Sequence, residues 1–279
     1  VSNSAQGGYL VNNDLRTASF IDLLRNKMLV RQLGATVLTG LEGNVSIPKK
    51  TSAGTAYWVN ENSDVTESQP GLGQVALTPK TIGAFTELTR KFLLQSSMDA
   101  ELFTRQELAT VIALGIDRAV LRGSGIGSEP LGIINLTGVG SVTITTGTPT
   151  FAKLVDLETE VAIDNADLGK LAYLTSATDR GIMKKTEKAS STGQFVWTTV
   201  PGAEGKGDVN GYDAYATNQL PIDSTIFGNW EDAVIGEWGI LDILVNPYTG
   251  DTSGKVRITA MQDVDVAFRR AESFARHTV

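Results

Sequence analysis

The 279-residue sequence contains no cysteine. That absence excludes disulfides, thiolate nucleophiles and cysteine-ligated zinc together, and it suits assembly in a reducing cytoplasm. Histidine is nearly as scarce, with His277 close to the C-terminal end as the sole example. A Ser-His-Asp triad or a multi-histidine metal site would have to be built on what reads as a terminal tail, so neither is expected. Apolar runs of bilayer-spanning length are missing, as is a secretory leader pattern, and the chain reads as soluble and unexported. Basic charge is in deficit: 24 Lys and Arg stand against 31 Asp and Glu, a net charge of −7. Tight nucleic-acid binding by the whole chain is disfavoured, because affinity for phosphate comes largely from Lys and Arg displacing counterions. Enclosing DNA without gripping it stays open. No solenoid-type repeat is visible, and no carboxylate pair is singled out by spacing for acid–base work. The first residue is Val1 and not Met, which fits either a processed product or a trimmed piece.

What is present has an order. Asn13 or Asp14 can cap a short helix carrying Leu15, Phe20, Leu23 and Leu24, with Gly34 at a helix-ending distance. Short β-type runs follow at 36–38, 45–48 and in "AYWVN" at 56–60. The stretch "NENSDVTESQPGLG" (60–73) is polar, acidic and turn-forming, and extended segments flank it on both sides. This predicts a long hairpin with legs of about 15 residues, an arm on the order of 50 Å at roughly 3.3 Å per residue. A lone two-stranded ribbon is marginal in water, so a projecting one rests on another molecule. A β-meander folded onto its own core is the other reading. Pro79 in the second leg suits a sheet edge.

From about Met98 to Arg122 the sequence carries its strongest helical signal. Leu108, Val111, Ile112, Gly115, Ile116, Ala119 and Val120 repeat on one face. Asp99 and Glu101 in the first turn and Arg118 and Arg122 in the last complement the helix dipole. "GSGIG" follows this helix, whereas a phosphate-binding glycine loop follows a strand and opens a helix, so the loop is a connector. Beyond a Gly/Thr-rich boundary at 137–150, Thr150 can cap an amphipathic helix bearing Phe151, Leu154, Leu157 and Val161. A buried strand at 170–176, a second helix near 177–188 and several closing strands complete an α+β pattern.

The ordered set of "LRTASFIDLLRNKMLVRQLGATV", the acidic-tipped hairpin, "LRGSGIGSEPLGIIN", "LAYLTSATDRGIMKKTEKASSTGQFVW", "VNGYDAYATNQLP" and "VDVAFRRAESFARHT" resembles the major capsid proteins of tailed bacteriophages, the Hong Kong ninety-seven type fold. That resemblance implies an N-terminal arm and the start of the peripheral domain over 1–49 and an extended hairpin loop over 50–90. It further implies a peripheral domain with the spine helix over 91–149, an axial α/β domain over 150–240, and return strands of the peripheral domain over 241–279. Such subunits form hexamers and pentamers that tile an icosahedral shell around double-stranded DNA in the virion, after assembly in the host cytoplasm. No catalytic residue, cofactor or metal is implied. Partners implied are further copies of the chain, a portal, a scaffold or maturation protease, and decoration proteins. A compartment of the encapsulin type, filled with cargo enzymes, is the alternative within the same fold; a secreted carbohydrate-active enzyme or adhesin is the alternative outside it, opposed by the spine helix and the missing leader.

One branch of that family crosslinks its shell through a loop lysine and a neighbour's asparagine. This sequence departs from the pattern, since no lysine lies between Lys50 and Lys80. Candidate inter-subunit contacts are therefore charged: Glu61, Asp64 and Glu67 at the hairpin tip, and Arg105, Arg118 and Arg122 on the spine helix. A merely solvated tip is the competing reading.

Overall fold

The computed structural model describes residues 25–26, 28–95, 100–144, 149–202 and 205–278. The helix expected after Asn13 or Asp14 lies outside the described residues. The first element, α1 (Val30–Leu33), is a single turn ended by Gly34 at φ 113°, a left-handed position that suits glycine. Then come β1 (Thr36–Leu38), β2 (Val45–Lys50), an irregular excursion over 51–71, β3 (Leu72–Leu77), β4 (Lys80–Thr89) and α2 (Arg90–Gln95). The spine is α3 (Ala100–Arg122), 23 residues long and so about 35 Å at roughly 1.5 Å per residue. After it run β5 (Gly140–Ser141), α4 (Phe151–Ile163), β6 (Leu171–Ser176), α5 (Ala177–Met183), β7 (Thr198–Thr199), β8 (Lys206–Val209), β9 (Tyr212–Thr217) and β10 (Ser224–Asn229). Two long strands, β11 (Ala233–Gly250) and β12 (Lys255–Phe268), precede the closing β13 (Phe274–Thr278).

Helices and strands are segregated around two sheets, an α+β arrangement. One sheet has the order β1-β11-β12-β4, the other β5-β13-β10-β6-β9-β8-β7, while β2 and β3 pair with each other alone. Alternate residues of β4 and β12, among them Ile82, Ala84, Ile258 and Ala260, join Leu108, Ile112, Ile116 and Val120 of α3 in one core. A strand period of 2 thus meets a helix period of 3.6 on a shared apolar face. That core continues through Leu174, Ile226, Trp230 and Phe274 into the larger sheet. Trp230 is fully buried, donates its indole N–H to the Ala172 carbonyl (3.0 Å) and meets Phe274 edge-on. The other face of the larger sheet packs Tyr173 and Phe227 against Leu154, Leu157 and Val161 of α4 and Met183 of α5.

Strand pairing revises the expected partition near the C-terminal end. β11 starts at Ala233, ahead of the boundary drawn at 240, and β13 pairs with β10 and β5 in the larger sheet, so 241–279 does not return to one sheet alone. β13 approaches closely because Gly228 has no side chain: a Cβ there would stand 2.4 Å from the Ser273 carbonyl oxygen. His277 is consequently no tail residue. It is buried, with Nδ1 3.1 Å from the Val142 carbonyl. Thr150 occupies the N-cap of α4 yet its side chain makes no capping bond, whereas Ser176 caps α5 by accepting from the Asp179 amide (3.1 Å).

The glycine-rich connector closes α3 and turns on itself. Gly132 N–H donates to the Gly123 carbonyl (3.0 Å) and Gly125 N–H to the Pro130 carbonyl (3.1 Å), so these amides are spent internally. Gly125 and Gly127 take φ values of 69° and 65°.

Candidate assembly interface

The excursion between β2 and β3 is an arm with a built root. Its ribbon runs in register from Val45 opposite Leu77 to Lys50 opposite Leu72, six residues per leg, in place of the expected fifteen or so. At the root Leu77 is fully buried with Val234 and Ala267, and the partly buried Leu38, Val45 and Trp238 pack around them. The Trp238 indole N–H donates to the Gly43 carbonyl (2.7 Å). Asp265 secures the exit: one carboxylate oxygen accepts from the Thr78 amide (2.9 Å) and the other lies 3.0 Å from Lys80 Nζ. The expected second leg therefore breaks at Thr78–Pro79. Residues 72–77 stay with the arm, while 80–89 become the edge strand β4 and do not belong to the loop drawn at 50–90. Edge placement suits Pro79, which has no amide to contribute to a ladder.

Beyond the ribbon the legs remain adjacent without forming strands. Thr51 N–H donates to the Gly71 carbonyl (2.9 Å), Gly71 N–H to Ser52 Oγ (2.7 Å) and Thr55 N–H to Ser68 Oγ (2.8 Å). Hydroxyl side chains have taken over backbone bonds that a ladder would have used. "AYWVN", expected as a strand, is irregular.

The arm carries apolar surface with no core of its own. Trp58 is wholly exposed, its neighbours in sequence Tyr57 and Val59 are exposed too, and so are Val65 and Leu72 elsewhere on the arm. A Trp offers about 150–250 Å² of burial, none of which its own chain uses here. In the sequence Trp58 is marked only as an aromatic next to Tyr57 in an otherwise Ser/Thr/Asn-rich stretch. A second exposed apolar group, Phe85, Leu244 and Met261, lies on the face of the smaller sheet away from α3. The Arg257 guanidinium stands 5.2 Å from the Phe85 ring centroid and donates to Glu87 (2.7 Å). Arg257 first, and Lys255 after it, hold the Glu87 carboxyl below its ordinary range.

Glu61, Asp64 and Glu67 are exposed at the arm tip, and among the described residues none forms an ion pair. Glu67 accepts from the Gln69 side-chain Nε2 (2.8 Å). Arg105 pairs with Glu101 on its own helix (2.6 Å). Arg118 and Arg122 are exposed at the far end of α3, with Glu129 nearby, whose carboxyl is held low chiefly by the Ser124 hydroxyl. Among the described residues no bond joins the acidic trio to the three arginines within one chain. Nor does any group of three or more His, Asp or Glu there have the placement to hold a metal, and no described helix is long and apolar enough to cross a membrane.

Over residues 7–279 the sequence matches the profile of the phage capsid family. The chain belongs to the phage capsid family. The major capsid protein of Halomonas phage phiHAP-1 is 37% identical over 271 residues, covering 97% of this chain and 44% of that protein. That of Klebsiella oxytoca phage phiKO2 is 24% identical over 300 residues, covering 99% and 69%. The chain thus spans less than half the length of the first of these curated relatives. Among solved structures, the capsid of a native GTA particle superposes with a TM-score of 0.81 at 19% identity, covering 98% of this chain and 97% of that one. A chain from Microbacterium phage Oxtober96 gives 0.79 at 13% identity, covering 99% and 98%. These likenesses establish the phage capsid fold, and within it the described residues 51–71 form no helix or strand.

Proposed function

We propose that this capsid-family chain is the shell-forming subunit of a tailed-phage head. Copies associate into hexamers and pentamers, and these tile an icosahedral shell that encloses double-stranded DNA. The observation that carries this reading is the arm: an anchored root, tied legs, and an exposed Trp58 that the chain leaves uncovered. Obligate interfaces commonly exceed about 2,000 Å², and an arm laid across a neighbour supplies area of that kind. The function lies in repeated contacts, so no residue is assigned a chemical step. With a net charge of −7 the chain surrounds DNA without sequence-specific grip. Portal, scaffold, maturation protease and decoration proteins are the other components such a shell would meet. The names of both curated relatives favour a genome-enclosing virion shell over a cargo compartment.

Electron microscopy of the expressed chain tests the reading. Closed shells or capsomer rings are expected, and particles made in phage-infected cells should contain nucleic acid. A chain that stays single under every assembly condition would overturn the proposal.

A further inference from the structure

A groove of about 900 Å³ opens at the arm root, bounded by the start of the arm on one side and by the turns after α4 and β12 on the other. Its charged lining is Lys49 and Lys50 at the end of β2, Arg269 and Arg270 after β12, and Asp164 and Glu272. Four cations thus face two carboxylates, and among the described residues none of the six forms an ion pair. The arm tip carries the complementary surplus, three exposed carboxylates that likewise lack ion-pair partners. Two sets of unpaired charge of opposite sign therefore sit at the two ends of one arm.

The tip cannot satisfy its own root. Glu61, Asp64 and Glu67 all lie beyond the Thr55–Ser68 tie, and the legs below it are held side by side by the Thr51–Gly71 and Ser52–Gly71 bonds. Reaching the groove would require the tied legs to fold back on themselves.

We infer that the groove at the arm root receives the acidic tip of a second copy of this chain, with Glu61, Asp64 and Glu67 set against Lys49, Lys50, Arg269 and Arg270. The inference rests on the shell reading and names the acceptor surface within it. A tip-to-root contact is heterologous, since each copy gives one surface and receives on another; such contacts close into rings when the rotation between copies allows it. Hexamers and pentamers are rings of this kind. Single exposed ion pairs contribute only about 0–1 kcal/mol, so the tip-to-root contact chiefly sets register and orientation, and complementary potentials favour the correct encounter.

The absence of native cysteine gives a clean test. In particles assembled from the full chain carrying Asp64→Cys and Arg270→Cys, oxidation should give a reducible ladder of multimers on a denaturing gel, and neither single variant should. Separately, reversing Glu61, Asp64 and Glu67 to Lys should raise the concentration needed for particle formation about tenfold, and adding Lys49→Glu, Lys50→Glu, Arg269→Glu and Arg270→Glu should restore it. Closed particles without the cross-link, together with unimpaired assembly of the triple reversal, would overturn the groove assignment and leave the shell reading standing. A wild-type chain that forms neither shells nor rings would overturn both.

Discussion

Asp179 is fully buried in the first turn of α5, where one carboxylate oxygen accepts from Thr225 Oγ1 (3.4 Å) and the other has no partner among the described residues. Burial first, and the charge of Asp223 second, push its carboxyl up from 3.8 to about 6. The folded chain therefore keeps a proton that the unfolded chain has released. Its contribution to stability is complete below pH 3.8 and is lost as pH rises through about 6. Two units correspond to about 3 kcal/mol at most. Asp179→Asn, which cannot ionise, should gain several degrees in melting temperature relative to wild type between about pH 4 and 7. Asp117, also raised by burial, is present in both proteins and cancels from the difference. Melting curves that stay parallel across that range would contradict this account. At this scale the sequence disclosed the charges of Glu61, Asp64 and Glu67 but not the burial of Asp179 or His277. Burial is decided by strands such as β13 that arrive from far along the chain.

Elements were legible where one period dominates. α3 follows from its apolar repeat, of which Val111 alone among the large residues is exposed, and β6 from the apolar Leu171–Leu174 that opens it, because a buried face imposes its spacing on the residues that make it. The arm was misjudged for the opposite reason. "QVALTPKTIGAFTEL" reads as one extended leg, although its inward positions shift from odd (Val75, Leu77) to even (Ile82, Ala84, Leu88) across Pro79, where the chain turns and Asp265, 187 positions downstream, holds the Thr78 amide. No local pattern encodes that bond. Asp265→Ala should leave the Thr78 amide without its acceptor and strand Lys80. A loss of about 2–4 kcal/mol is expected, in the range of a lost charge-assisted bond or broken buried pair. Hydrogen exchange should quicken at Thr78 and its neighbours in the arm root before it quickens in α3. Unchanged exchange at Thr78 would show that the Leu77 cluster alone holds the root.

For the whole molecule, the order of pieces was readable and the way they interleave was not. Two sheets share a core because β11 and β12 belong to one and β13 to the other, a return that short apolar strands do not announce. Between Lys50 and Lys80 the arm has no lysine with which to form an isopeptide bond. Mature particles boiled in denaturant should accordingly run as single-chain bands; multimers surviving that treatment would show a covalent shell. Cohesion then comes from buried contact and mass action, so particle stability should depend on subunit concentration.

The central claim is that the arm finds its support on other copies of the chain, and hydrogen exchange over residues 51–71 measures this directly. Compared at matched pH and temperature, the amides of that stretch outside the Thr51, Thr55, Ser63 and Gly71 bonds should exchange at near-unprotected rates in single chains and become strongly protected in assembled particles. Equal exchange in the two states, whether fast or slow in both, would contradict it.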